Sequence, residues 1–154
     1  MSKILHVLGS PRPTSYSSRL ARSFLERARD RGHEVDVVDV WSEDLPGFGG
    51  EAVAGKLKAM AGASLSEAER AAFDAALGCV RRLQAADKVV LSTGMWNFSV
   101  PYMLKHYIDV IMQAGILFSF TANGPEGFAK YEQMVCITSR GSDYSPGSPM
   151  HALD

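Results

Sequence analysis

The chain reads as an α/β domain built on a doubly wound parallel sheet, with about four strands and helices on both faces. Three observations predict it. Apolar runs of strand length alternate with longer stretches of helical period. The apolar runs end in loops rich in Gly, Ser, Asn or Pro, as strands do when they leave a sheet. A length of 154 residues, 46% of them hydrophobic and 21% charged, suits one domain with one substantial core. Strands alternating with helices connect by right-handed crossovers, which require a parallel sheet covered on both faces. No repeat or linker divides residues 1–154.

The elements follow in order. Ile4 to Leu8 is an apolar run stopped by Gly9-Ser10-Pro11, the pattern of a buried strand entering a loop. Ala21, Phe24, Leu25 and Ala28 then fall on one helical face. Gly32 stops that helix, because a residue without Cβ takes a left-handed backbone at little cost. Val35 to Val40 is β-branched enough for a second strand. Residues 41–64 read as a long connection rich in Gly and Ala. Ser66 and Glu69 have the spacing of a capping box, and Phe73, Ala76, Leu77, Val80 and Leu83 mark the buried stripe of the helix it opens. Lys88 to Thr93 is the third strand. Pro101 suits a first helical turn, Leu104, Tyr107, Ile108 and Ile111 give that helix its inner face, and Gly115 is the expected stop. Phe118 and Phe120 alternate as in a short strand. Gln133 to Thr138 is the fourth long strand, before a tail rich in Gly, Ser and Pro.

Several function classes are excluded early. A net charge of -1 and the lack of a Lys/Arg run leave nothing to neutralise a nucleic-acid backbone. Cys79 and Cys136 form no C-x-x-C pair, and free thiols suit a cytoplasmic location. No stretch approaches the ~20 apolar residues that cross a bilayer. His6, His33, His106 and His151 have no metal-ligand spacing to one another, so no metal site is expected. Gly47 to Ala52 fits a dinucleotide-binding pattern in letters only, since a working one follows the first strand directly. Cys136 and Arg140 stand too close for the loop of a low-molecular-weight tyrosine phosphatase.

Open α/β sheets bind ligands beyond the carboxyl ends of their strands. The loop after the first strand carries Ser10, Ser15, Tyr16 and Ser17 ahead of a helix. Helix-start amides and the positive dipole end favour a phosphate there, although Ser15 and Ser17 serve equally as helix caps. The loop lacks the Lys of a P-loop, which disfavours nucleotide triphosphate hydrolysis. After the third strand stand Met95, Trp96, Asn97 and Phe98, large apolar side chains where a turn is normally polar. They fit a flat heteroaromatic ring, or else they close the core or a subunit contact. After the fourth long strand, Ser139, Arg140, Gly141 and Ser142 offer a cation and a backbone that approaches a ring closely.

Taken together, Met95-Trp96-Asn97-Phe98, Asn123-Gly124-Pro125-Glu126-Gly127 and Ile137-Thr138-Ser139-Arg140-Gly141 resemble the FMN-dependent NADH azoreductases, also called FMN-dependent NADH:quinone oxidoreductases. The opening Met-Ser-Lys-Ile-Leu and Leu104-Lys105 with Tyr107-Ile108-Asp109 are similar too, and the likeness runs through nearly the whole chain. The resemblance implies a single flavodoxin-like, FMN-binding domain over residues 1–154 that works as a homodimer. It implies hydride transfer from NADH or NADPH through FMN to quinones or aromatic azo compounds, in a ping-pong sequence with no catalytic side chain. It assigns the phosphate to Ser10, Ser15, Tyr16 and Ser17, with Ser18 an alternative to Ser17. Met95, Trp96, Asn97 and Phe98 would line the ring, and Ser139, Arg140, Gly141 and Ser142 would close over it. Phe118 and Phe120 would wall the substrate side, in this subunit or its partner. Ser142 departs from the Gly-Gly common after Ser-Arg in the family. The family continues past this tail with a strand and a helix, which predicts a C-terminally short domain with its fourth long strand at an edge. A flavin-binding electron carrier or truncated flavoprotein without efficient turnover is the rival reading. An α/β interaction domain without cofactor would leave the aromatic loop unexplained.

Overall fold

The computed structural model describes residues 1–153. Along the chain run β1 (Lys3–Leu8), α1 (Tyr16–Asp30), β2 (Glu34–Asp39), α2 (Gly50–Met60), α3 (Glu67–Gln84), β3 (Lys88–Gly94), α4 (Tyr102–Ile111), β4 (Phe118–Thr121), β5 (Gly124–Gly127) and β6 (Gln133–Ser139), with a 3-10 turn at His151–Leu153. The four long strands form one parallel sheet in the order β2-β1-β3-β6. The doubly wound arrangement follows from the alternation of strand and helix. Strand boundaries lie within about two residues of those expected, the usual uncertainty of an element end.

β1 and β3 are the central strands, and both of their faces are covered by helices. Leu5, Val7 and Val89 pack with Val80, Leu83, Leu104 and Tyr107 on the face covered by α3 and α4. Ile4 and Val90 pack with Ala21, Leu25 and Ala28 of α1 on the other. β6 is the sheet edge on its side, with Met134, Cys136 and Thr138 exposed. No helix among the described residues is long and apolar enough to cross a membrane.

The expected helix signals hold at α1 and α3. Gly32 takes φ +82° just past the end of α1. At α3 the Glu69 amide donates to Ser66 Oγ at 3.2 Å and the Ser66 amide to Glu69 Oε2 at 2.8 Å, both halves of the capping box. Two expectations change. The stretch 41–64 is not one long connection, since Gly50–Met60 is helical. Its small residues, which suggested a loop, are what let α2 lie against α3: a Cβ on Gly55 would stand 2.6 Å from the Glu69 carbonyl oxygen. Lys58 then reaches the Glu69 carboxylate at 2.6 and 2.8 Å. Gly115 does not end α4, which stops at Ile111. The buried Gln113 amide closes that end by donating to the Val110 and Asp109 carbonyls at 2.7 and 3.1 Å, and Gly115 sits in the following turn at φ +81°.

Candidate cofactor site

Because the sheet is parallel, Leu8, Asp39, Gly94 and Ser139 bring their following loops to one rim. Backbone bonds stitch these loops together. The Gly9 amide donates to the Ser92 carbonyl at 2.8 Å, Val40 to Leu8 at 3.2 Å and Met95 to Ser139 at 2.9 Å. The loops after β1, β3 and β6 that the sequence singled out therefore converge.

The turn after β3 is the sharpest feature of the rim. Trp96 and Ser99 exchange both backbone bonds, at 2.8 and 2.9 Å, enclosing Asn97 and Phe98 as the two central residues. Both central residues have positive φ, 48° and 61°. That is the mirror-image hairpin turn, which normally takes Asn-Gly. Asn97 fits it, whereas a bulky Phe98 in the left-handed region is strained. Phe98 is 56% exposed and Trp96 38%, so neither aromatic is there to fill the core. Met95 and Ser99, with Thr93, Thr138 and Arg140, line a cleft of about 200 Å³ beside the turn.

The loop after β1 meets the start of α1. Ser15 is the helix cap, its Oγ accepting from the Ser18 amide at 3.4 Å, and it lies 2.9 Å from Ser17 Oγ. Ser10 Oγ accepts from the Arg12 amide at 3.4 Å. The amides of Tyr16 and Ser17 are first-turn donors that a helix cannot satisfy from within, and no acidic residue occupies that turn. Ser18 is turned toward the sheet, in a cleft with His6 and Arg22, and its buried Oγ has no protein partner. Ser17, rather than Ser18, shares the loop side with Ser15.

Beneath this loop, His6 is 5% exposed and its Nε2 lies 2.8 Å from Ser92 Oγ. Burial above all, helped by the nearby Arg29 charge and opposed by Asp39, lowers its pKa to about 4. A neutral imidazole thus supports Ser92, whose carbonyl holds Gly9.

In the loop after β6, the Arg140 guanidinium stands 5.7 Å from the centre of the Tyr144 ring. A Cβ on Gly141 would meet only open space, and Ser142 is not among the residues with positive φ. Nothing in the backbone calls for a second glycine there. Phe118 and Phe120 are not brought to this rim. Their rings meet edge-on at 5.5 Å on the β4–β5 hairpin. The segments flanking that hairpin are tied to the other end of the sheet, by Glu132 N to Asp87 O at 2.8 Å and Gln84 Nε2 to Ile116 O at 3.5 Å. Phe118 lines an apolar cleft of about 310 Å³ beside α4, with Val89, Tyr131 and Met134.

Sequence reasoning missed one rim residue. Trp41 donates from Nε1 to the Gly9 carbonyl at 3.2 Å and packs on Trp96 and Tyr102, with ring centres 5.6 and 5.2 Å away. Trp41 was hidden in the supposed connection. Its position immediately after a strand end was the available signal.

Comparison with known proteins agrees with this architecture. The family model described as flavodoxin-like fold matches residues 2–154. An FMN-dependent NADH:quinone oxidoreductase of Ruegeria pomeroyi is 37% identical over 161 residues, covering 99% of this chain and 79% of its own length. One from Pseudomonas syringae pv. tomato is 39% identical over 154 residues, covering 98% and 74%. The crystal structure of an azoreductase from Bacillus anthracis superposes with a TM-score of 0.88 at 32% identity, over 99% of this chain and 75% of that one. The chain belongs to the flavodoxin-like family of the FMN-dependent NADH:quinone oxidoreductases.

Proposed function

We propose that the chain is an oxidoreductase that holds FMN on the carboxyl rim and passes hydride from NADH or NADPH to quinones or aromatic azo compounds. The observation that carries this reading is the Trp96–Ser99 turn, which keeps a strained, exposed Phe98 on the same rim of the sheet as the α1 start, whose first turn carries no acidic side chain. Strain of this kind is retained where it serves a site. The family's named activity supports the same reading.

The residues present fit FMN at both ends. A phosphate would sit on the Tyr16 and Ser17 amides, with hydroxyls from Ser10, Ser15 and Ser17, where the α1 dipole favours negative charge. Met95, Trp96, Asn97 and Phe98 would line the ring, and Ser139, Arg140, Gly141 and Ser142 would close its other side. Bound FMN supplies the hydride-carrying chemistry. The protein's part is to orient the ring, exclude water from one face and leave the other open to donor and acceptor in turn, which gives a ping-pong sequence. A homodimer belongs to the same proposal: flanked by segments tied to the far end of its own sheet, the hairpin would present Phe118 and Phe120 to the flavin of a partner subunit.

The test is spectroscopic. Protein loaded with FMN shows two visible flavin bands that bleach with NADH without oxygen and return on adding a quinone. Bands that fail to bleach favour the electron carrier. Protein that takes up no FMN contradicts the reading.

A further inference from the structure

Trp41 leaves β2 with its backbone already fixed. Its amide donates to Asp39 Oδ1 at 3.1 Å, while Asp39 Oδ2 accepts from Ser42 Oγ at 2.6 Å. From that position the half-buried indole meets three other segments. The Nε1–H donates to the Gly9 carbonyl in the loop that leads to α1. The ring lies against Trp96 at an interplanar angle of 45°, and against Tyr102, the first residue of α4, at 83°. Gly9 has little freedom to move in response: its amide is bonded to Ser92, and a Cβ there would stand 3.0 Å from Leu104 and 3.1 Å from the Ser92 carbonyl oxygen.

We propose that Trp41 is a positioning residue for the cofactor, fixing the strained aromatic turn relative to the loop at the start of α1. This rests on the FMN reading above. A rigid ring joined to a phosphate needs its two holding segments at one fixed span, and a preformed span lowers the ordering cost of binding. The Trp96–Ser99 turn is an unstable conformation that persists only while its surroundings over-determine it. Its own two backbone bonds and the Met95 amide bond to Ser139 supply part of that constraint, and the Trp41 ring adds a side-chain contact from outside the turn. The indole N–H carries the same constraint to Gly9. Trp41 acts through Trp96 and Gly9, and no reacting atom is assigned to it.

The chain has two tryptophans, Trp41 and Trp96, and both stand on this rim, so quenching of intrinsic fluorescence reports FMN binding. W41F keeps a packed ring and loses the hydrogen bond; W41L loses both. The Kd for FMN is expected to rise about threefold in W41F and about tenfold or more in W41L, from the usual worth of one hydrogen bond and of aromatic packing. The visible circular dichroism of the bound flavin, a signature of ring orientation, changes in both. The far-ultraviolet spectrum of the FMN-free variants stays that of the wild type. Should W41L fail to fold, W41F decides. Wild-type Kd and wild-type flavin dichroism in W41F and in any folded W41L overturn the assignment alone. A wild-type protein that binds no FMN overturns the functional reading and the assignment with it.

Discussion

Ser17 shows how much one residue decides. It lies beside the α1 cap, 2.9 Å from Ser15 Oγ, in a first turn free of acidic side chains. Ser17→Asp sets like charge against a phosphate held there, so the Kd for FMN should rise about tenfold or more, measured by titration. An unchanged Kd would mean that the phosphate lies elsewhere. The choice between Ser17 and Ser18 was not legible in the sequence. The two are adjacent, chemically identical, and separated only by about 100° of helix rotation. The aromatics from Met95 to Phe98 were legible because apolar bulk in a loop is anomalous. Trp41 was not, because a single aromatic at the start of a long Gly- and Ala-rich stretch shows no partner until the fold brings Gly9 and Trp96 beside it.

Elements carry their own predictions. Phe98→Gly relieves a left-handed φ of 61° and should stabilise the FMN-free protein by about 1 kcal/mol in urea unfolding. The same change removes a ring-lining side chain and should weaken FMN binding. Opposite signs for stability and affinity separate functional strain from an ordinary turn. α2 offers the converse case. Gly55→Val forces a side chain into the Glu69 carbonyl, where even a Cβ has only 2.6 Å, and should destabilise the fold by about 2 kcal/mol. A wild-type urea midpoint in that variant would show that α2 and α3 are not in close contact. Helices α1, α3 and α4 were legible because each buries an apolar stripe of helical period, although in α1 that stripe is Ala21, Leu25 and Ala28, and Phe24, expected on it, is exposed. α2 buries Ala52 and Gly55, so its packing face consists of residues that look like loop.

At the scale of the whole molecule, the sheet and its rim were readable from alternation alone, since strand order and crossover hand leave few choices. The destination of the hairpin was not, because nothing in Phe118 and Phe120 says which end of the sheet they serve. Buried His6 links the rim to global stability. Its pKa is about 4 when folded and 6.5 as the reference for the unfolded chain, so the unfolded state takes up the proton first as pH falls. His6 therefore contributes full stability above pH 6.5 and loses it progressively down to pH 4, by up to about 3 kcal/mol. Unfolding at a series of pH values should show that slope, and His6→Gln should flatten it; an equal slope in both proteins would place its origin elsewhere. Asp36, held below the usual carboxylate range chiefly by its hydrogen bond to Arg82, adds a separate loss once pH falls below 3.8. The most direct test of the central claim is a crystal structure grown with FMN. It should place the phosphate on the Tyr16 and Ser17 amides and the ring along Met95 to Phe98. Flavin density in the apolar cleft beside α4, or none at the rim, would contradict it.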